Sequence, residues 1–326
     1  MVNSTAREYL YIVQESALNT PLTTPSIGTT SLFIRLIDGN AFSMIAKPVQ
    51  ELIPYGGGLA KTSEIVSDHY ACSGTLKMKL YGAQAPFLMG WSTTEINSGQ
   101  TSPWTTTELP NDLASCTVYH AVQTSTGVFI KKAFTGCKVG SAQIEVSRQS
   151  TTATLTLQLT ACAQSAFGTL TGDPTTAIPT PTETEMPLGP YTFAMTAGNL
   201  SIGGATRTQY SSLSINIQNT LDGQWFEGAS LSLLNYHGRQ SKLMADLYLK
   251  LTPDDRSAYE AATATAASVT FTNGVSGQNM TISYEGQNKI TDLPLDLPIG
   301  TAFLQKLELT NTLDQSAGID LAVSFA

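Results

Sequence analysis

The stretch SLSINIQNTLDGQ, residues 212–224, alternates apolar and polar residues and then ends in the tetrad NTLD. A second stretch, QKLELTNTLDQS at residues 305–316, has the same form. Alternation over this length is typical of a β-strand with one buried face and one solvent-facing side. We interpret NTLD as turn chemistry that ends two strands, because Asn and Asp tolerate turn geometry and bond their own backbone.

Around this stretch, the second half of the chain predicts three hairpins, one further strand and one helix. In chain order these are a hairpin at 212–234 that turns at Asp222-Gly223, a strand at 242–251, a helix at 252–267 that starts with Pro253, a hairpin at 268–286 and a hairpin at 303–326. Within the strand, residues two apart share a face. We therefore expect Leu247, Leu249 and Leu251 to point into the core, and Asp246 and Lys250 to point away from it.

The first half predicts nearly the same order of elements. They are a hairpin at 31–46 around Asp38-Gly39-Asn40, a strand at 73–81, a short helix within 82–91, a hairpin at 116–134 and a hairpin at 142–161 that turns near Ser150. Between the halves, residues 170–190 are rich in Pro and Thr, which is typical of a stiff linker. The sequence thus predicts a mainly β chain with a duplicated module: residues 1–169, a linker at 170–189, and residues 190–326.

Composition limits the classes of function. The 326 residues are 13% charged with a net charge of −8, which argues against a general nucleic-acid binder, since that role needs a basic face. The four cysteines, in no C-x-x-C pair, are expected to be small buried residues, with one or two disulfides as the alternative. We expect no secretory signal and no membrane helix, because no apolar segment has the required length.

The sequence shows no pattern typical of a catalytic or metal site. Its three histidines, His69, His120 and His237, have no second His or Cys at metal-ligand spacing. There is no G-x-S-x-G motif and no P-loop, and the Gly-rich YGGGLA at 55–60 lacks a Lys-Ser/Thr pair at P-loop spacing. We therefore expect no enzyme activity, no cofactor and no metal.

Five segments, taken in order, resemble tailed-bacteriophage tail tube proteins. REYLYIVQESALNTPLTTP is similar to their opening strand with its v-x-E-s tetrad, and FTGCKVGSAQIEV is similar to a later strand entry. The other three are YACSGTLKMKLYGAQAPFLMGW, NLSIGGATRTQYSSLSINIQNTLDG and YHGRQSKLMADLYLKLTPDDRSAYEA. Each motif is loose, so the resemblance rests on the ordered set, which covers most of the chain.

The resemblance implies a β-sandwich module with a flanking helix, whose sheet joins those of its neighbours into a β-barrel wall around a channel. It implies a structural virion protein that polymerises into stacked rings, forms the tail tube and conducts DNA during ejection. A duplicated chain would fill a six-module ring with three copies. The implied partners are other copies of the chain, a tape measure protein, and tail terminator and tip proteins. DNA would pass without specific binding, no membrane would be involved, and assembly would take place in the host cytoplasm.

The candidate lumen-facing residues are Glu145, Glu308 and Asp320, which lie on polar strand faces. We expect an excess of acidic side chains on the channel wall, because rings of lysine would bind phosphates and slow the DNA. Two alternatives are a tail terminator or head-tail connector built on the same module, and a two-domain surface adhesin or carbohydrate-binding β protein.

Overall fold

The structure, a computed structural model, describes residues 8–20, 31–34, 42–54, 62–80, 88, 113–125, 128–147, 150–164, 168–171, 199–208, 210–224, 232–248, 253–272, 279–284, 288–293, 304–311 and 321–325. Within these residues the chain is mainly β, as the alternation predicts, with an eight-residue helix in the second half.

The two halves contribute similar numbers of strands to the described part of the chain. In the first half they are β1 (Glu8–Gln14), β2 (Ser31–Ile34), β3 (Phe42–Pro54), β4 (Thr62–Lys79), β5 (Cys116–Ser125), β6 (Val128–Ser147), β7 (Ser150–Ala161), β8 (Ala163–Gln164) and β9 (Gly168–Thr171). In the second half they are β10 (Leu200–Ile202), β11 (Ala205–Arg207), β12 (Tyr210–Gln224), β13 (Leu233–Tyr248), β14 (Ala267–Phe271), β15 (Met280–Tyr284), β16 (Lys289–Asp292), β17 (Leu304–Thr310) and β18 (Leu321–Phe325). Helix α1 (Pro253–Glu260) lies between β13 and β14.

Eight strands pair side by side in one antiparallel sheet, here called the long sheet. Its order is β3-β4-β7-β6-β12-β13-β17-β16. The pairing of β6 with β12, here called the seam, joins the first half of the chain to the second. It matches Ser141–Ser147 with Ser212–Gln218 in antiparallel register.

Two smaller sheets, here called the flank sheets, share a core with the long sheet. The first has the order β2-β1-β5-β6-β9, with β8 also on β6, and the second has the order β11-β10-β14-β15-β18. Strand β6 belongs to two sheets, because Val128–Cys137 pairs with β5 and Lys138–Ser147 pairs with β7. It therefore turns the corner between the first flank sheet and the long sheet.

The order of strand pairing is the same in both halves. In the long sheet, β3-β4-β7-β6 and β12-β13-β17-β16 each place the four strands as first, second, fourth and third in chain order. The flank sheets also correspond, with β1 and β10, β5 and β14, and β9 and β18 in matching places. The difference is that β6 is continuous where the second half has two strands, β15 and β16.

Alternation places one face of the long sheet in the core. Leu76 of β4, Ile144 of β6, Leu157 of β7 and Ile215 of β12 are at most 1% exposed. They belong to one apolar cluster that includes flank-sheet residues such as Val269. Burying one stripe of residues per strand against a second layer is the usual way in which sheets form a sandwich.

The predicted register of the strand at 242–251 agrees with what the structure describes. Leu243 and Ala245 are buried, while Asp246 is partly exposed and accepts a hydrogen bond from Ser212. Leu249, Lys250 and Leu251 lie outside the described residues, as does the side chain of Leu247. The strand at 73–81 is confirmed as the end of β4, with Lys77 exposed between buried apolar neighbours.

Of the six predicted hairpins, three are confirmed by pairing and two are wrong. The sixth, at 212–234, forms as the pair β12–β13 but does not turn where it was predicted to. The pairs β5–β6, β6–β7 and β14–β15 match the hairpins at 116–134, 142–161 and 268–286. The hairpin at 31–46 is wrong, because β2 pairs with β1 and β3 pairs with β4. The hairpin at 303–326 is also wrong, because β17 pairs with β13 and β16 while β18 pairs with β15. Alternation shows which face of a strand is buried, and it does not specify the partner strand.

The interpretation of NTLD as the end of a strand is wrong at its first occurrence. Asn219 and Asp222 both lie inside β12, which continues to Gln224, and Gly223 pairs with Leu234 instead of turning. The extra ladder pairs with β13 outweigh the local turn preference of Asp-Gly. At the second occurrence Asn311 is described and buried, and the rest of the tetrad lies outside the described residues.

The predicted helix at 252–267 is confirmed in part as α1, with Pro253 at its start. It ends early, because Ala262 adopts a left-handed conformation with φ of 48°. The amide of Thr263 donates to the Ala258 carbonyl and the amide of Ala262 donates to the Tyr259 carbonyl, which is a Schellman-type end. Ala267 already belongs to β14. Of the short helix predicted within 82–91, only Leu88, which is buried, is described.

Candidate functional site

The long sheet has a polar face, defined here as the side chains of its paired strands that point away from the core. Ser, Thr, Asn and Gln dominate this face. Its described charged residues are Lys77, Lys79, Lys242, Lys289, Lys306, Glu145, Asp222, Asp246, Asp292 and Glu308. With five lysines and five carboxylates, the described part of this face lacks the acidic excess that the sequence led us to expect.

The charges are arranged in rows across the strands. One row, here called the lysine row, runs in register through Lys77, Thr156, Gln143, Asn216, Lys242, Thr310 and Lys289. The next row runs through Lys79, Thr154, Glu145, Ser214, Met244, Glu308 and Asp292. Adjacent rows lie about 7 Å apart, because side chains on one face are two residues apart along each strand.

Glu308 is held in place by partners on two neighbouring strands. Lys242 Nζ lies 2.8 Å from Glu308 Oε1, and the Thr291 hydroxyl donates to the same oxygen at 3.3 Å. The hydrogen bond from Lys242 lowers the pKa of the Glu308 carboxyl below its usual value, and the Lys306 charge adds to the effect. This carboxylate therefore stays ionised and neutralises one member of the lysine row.

Two of the three candidate lumen residues share a row on the polar face. Glu145 is exposed, and its Oε1 accepts a hydrogen bond from Gln143 Nε2 at 2.9 Å. Glu308 lies three strands away along the same row. Asp320 lies outside the described residues. Alternation in the sequence places Lys77 on the solvent-facing side of its strand, but neither Lys77 nor Lys242 was counted among the candidate lumen residues.

A groove on the polar face follows the seam. It is lined by side chains of β7, β6 and β12, among them Gln158, Ser141, Gln143, Asn216 and Gln218. These side chains are uncharged and can donate or accept hydrogen bonds. The groove is a local hollow in the polar face where the two halves of the chain meet.

A protein-family comparison matches residues 5–322 to a family described as phage tail tube protein. The chain belongs to the phage tail tube family. Comparison with curated proteins gave no match. Membership makes the protein a structural component of the virion tail that self-assembles into a tube. The matched range includes both halves and the seam.

In this tail tube protein, the motifs IVQES and FTGCKV meet at the buried carboxylate of Glu15. Its Oε2 accepts hydrogen bonds from Ser115 Oγ at 2.7 Å and from the Asn19 amide at 2.9 Å. Its Oε1 accepts from Thr117 Oγ1 at 2.6 Å and from the Gly136 amide at 2.9 Å. Four donors satisfy a buried carboxylate well. Glu15 thus ties the end of β1 to the start of β5 and to the bend in β6.

Gly136 forms the bend at which the tube protein's strand β6 leaves the flank sheet. Its φ is +63°, and a Cβ placed on it would lie 2.8 Å from both the Cβ and the Sγ of Cys162. The ladder with β5 shifts register beside it, which is typical of a bulge with glycine in the left-handed region. The sequence offered a signal for this site, since a Gly interrupts an otherwise continuous strand pattern, but the motif alone did not reveal its partner.

The cysteines of the tube protein are packing residues. All four are free and buried, as expected, and Cys116 lies opposite Cys137 in the β5–β6 ladder. Burial raises the pKa of the Cys162 thiol to about 11, and the Glu15 charge contributes to the rise. Where the chain is described, no cluster of three or more His, Cys, Asp or Glu is placed to hold a metal ion. No helix in the described part has the length and apolar character to cross a membrane.

Proposed function

We propose that the protein is the ring-forming subunit of a phage tail tube that conducts DNA into the host during ejection. Each chain consists of two tandem modules, residues 1–169 and 190–326, joined by the linker at 170–189. The shared pairing order of the two halves supports this division. The chain is then a covalent pair of wall units.

The observation that carries the proposal is the pair of edges on the long sheet. Among the described residues, β3 pairs in this sheet only with β4, and β16 only with β17. Strand β3 is the first of its group of four and β16 is the last of the other group. Unpaired edges invite pairing with another chain. Two edges that occupy corresponding places give a head-to-tail contact that can close into a ring.

The seam provides a template for that contact. Inside one chain, the last strand of the first group, β6, pairs with the first strand of the second group, β12. By the same arrangement, β16 of one chain would pair with β3 of the next. Three chains would close a wall of pseudo-six-fold symmetry.

Polar contacts reinforce the seam inside the chain. The buried Asn219 donates through Nδ2 to the Val139 carbonyl at 2.8 Å, and the buried Lys138 donates through Nζ to the Leu234 carbonyl at 2.6 Å. Both bonds join residues of the first half to residues of the second. They fix the angle between adjacent wall units, and this angle determines how many units close a ring.

Two hairpin arms extend beyond the wall and suit contacts between stacked rings. Glu51–Pro54 pairs with Thr62–Val66, whereas β7 pairs with β4 only from Cys72 onward. Likewise, Leu221–Gln224 pairs with Leu233–Tyr236, whereas β17 pairs with β13 only from Lys242 onward. Strands β4 and β13 run in the same direction, so both arms leave the same end of the sheet. We propose that they pack on the next ring.

We also propose that the polar face lines the channel, which makes Glu145 and Glu308 lumen residues. Asp320, which lies outside the described residues just before a strand of the second flank sheet, stays a prediction. The concave groove at the seam and the absence of large apolar side chains from the described lysine row favour this orientation. The channel would hold a tape measure protein before ejection, and terminator and tip proteins would bind the two ends of the tube. Assembly would take place in the host cytoplasm.

Electron microscopy of the purified chain at high concentration, combined with native mass spectrometry, tests the proposal. We expect tubes with pseudo-six-fold rings, each made of three chains. Rings of six chains would refute the tandem-module arrangement. Single rings that never stack would favour a terminator or connector, and a chain that stays monomeric even with seeding by tail tips would contradict tube formation.

A further inference from the structure

We infer that the lysine row is a contact site for the phosphate backbone of DNA and slows the duplex as it passes. The inference rests on the proposed function, since the polar face must line the channel for DNA to reach it. It reverses the expectation, drawn from the sequence, that the wall repels DNA throughout.

The row is cationic because its lysines have few acidic neighbours. It contains Lys77, Lys242 and Lys289, and no carboxylate lies among its described members. Glu308 in the next row pairs with Lys242 at 2.8 Å and neutralises it. Lys77 and Lys289 are exposed, with threonine as their described partner in register. Among the described residues neither lysine has an ion-pair partner, although Asp292 lies beside Lys289 in the next row. Two such lysines per chain would repeat in every ring of the tube.

The row beyond the lysine row, on the side away from Glu308, adds hydrogen-bond donors without charge. It runs through Thr75, Gln158, Ser141, Gln218 and Gln240. Amide and hydroxyl groups of this kind bond phosphate and sugar oxygens and carry no sequence information. Lysine binds phosphate as a point charge, which tolerates a sliding ligand. The two rows together form a surface suited to brief contacts with any sequence of DNA.

The chemistry of these rows favours DNA over an acidic protein. Protein interfaces depend on apolar or aromatic anchors that are buried in pockets. The two rows contain only Lys, Thr, Ser, Asn and Gln at their described positions, and the groove between β7 and β12 is lined mainly by the same types. A polyanion needs no apolar anchor, because the release of its counterions drives binding.

The test uses intact particles in which the tube carries Lys77→Gln and Lys289→Gln together. DNA release after triggering is followed in single particles with a fluorescent dye, at low and at high salt. We expect release to be about twofold faster or more at low salt, and the difference to disappear at high salt, because each phosphate contact contributes to the salt dependence. The control is Lys132→Gln, which removes a lysine of the first flank sheet, outside the polar face. It should leave the rate unchanged.

A charge-preserving variant and a binding assay keep the inference testable if the double variant assembles poorly. Tubes with Lys77→Arg and Lys289→Arg should release DNA no faster than the unmodified tube. Purified unmodified tubes should take up a short fluorescent duplex at low salt. Release rates in the Gln variant equal to those of the unmodified tube would overturn the inference. Displacement of bound duplex by an acidic polypeptide at far lower concentration than by unlabelled duplex would overturn the assignment to DNA.

Labelling separates this failure from a failure of the proposed function. A small amine reagent and the same reagent attached to a polymer too large for the channel are applied to assembled tubes. Labelling of Lys77 by the small reagent alone places the polar face in the lumen, so unchanged release rates would then count against the lysine contact only. Labelling by both reagents would place this face outside and would overturn the lumen assignment together with the inference.

Discussion

Substitution of Gly136 by alanine should be strongly destabilising. Its φ of +63° lies in the left-handed region, where an alanine costs about 1–2 kcal/mol. The new Cβ would also meet the Cβ and Sγ of Cys162 at 2.8 Å, closer than real Cβ atoms approach. Overpacking of this kind costs about 1–3 kcal/mol. The loss in free energy of unfolding is therefore expected to be about 2–5 kcal/mol.

Urea unfolding of the unassembled chain, followed by tryptophan fluorescence, measures this loss. Gly204→Ala is the matched control, because Gly204 has a φ of +74° and a Cβ there would meet nothing within 4 Å. It should cost only the backbone term of about 1–2 kcal/mol. The double variant Gly136→Ala with Cys162→Gly removes both clashing atoms and should recover the steric part, after allowance for the cost of Cys162→Gly alone.

Equal losses in Gly136→Ala and Gly204→Ala would show that contact with Cys162 contributes nothing, contrary to the expected steric cost. Strict additivity of the two changes in the double variant would show the same. Residues in direct contact should show a coupling energy, whereas independent sites add.

Three further predictions concern single groups. Glu15→Gln should lower the free energy of unfolding by about 2–4 kcal/mol, because an amide nitrogen then faces two of the four donors. A loss below about 1 kcal/mol would contradict the assignment of four hydrogen bonds to this carboxylate. Glu308→Gln should cost less than about 1 kcal/mol at neutral pH, because its hydrogen bond with Lys242 is partly solvated. The lowered pKa of Glu308 means that its contribution is present above the usual carboxyl pKa and is lost as the pH falls through the lowered value. The gap from the unmodified chain should therefore close in acid unfolding curves, and a gap that persists would count against the ion pair. Ala262→Gly should raise stability by about 1 kcal/mol in thermal unfolding, because φ is 48° there, whereas Ala261→Gly should lower it.

Alternation predicted most of the strands and their buried faces. Which residues of β4 and β12 face the core follows directly from their sequences, because a register shift by one residue would bury Lys77 or Asn216. Pairing was less predictable. The partner of β18 depends on where a whole sheet has an open edge, and a local pattern contains no such information. The prediction of a turn at Asp222-Gly223 was wrong for a similar reason. The return strand β13 supplies ladder hydrogen bonds that outweigh the local preference of Asp-Gly for a turn.

The candidate site was predictable only at the level of faces. Glu145 and Glu308 lie where alternation places them, on one polar row. The same alternation places the lysines there, and the expectation of an acidic wall came from the net charge of −8, which says nothing about where charges lie. The role of Glu15 could not be predicted from the sequence either, because its four hydrogen-bond donors come from residues as far away in the chain as Gly136.

The seam has a kinetic consequence. Because β6 and β12 already pair inside each chain, half of the pairings between wall units in the proposed three-chain ring would form during folding. A tethered pairing proceeds at an effective concentration set by the linker and is independent of how much protein is present. Closure of the first proposed ring would then need three chains to meet, whereas a ring of separate units would need six. Nucleation of a tube from such chains should set in at low expression levels and depend far less steeply on the amount of protein the host has made.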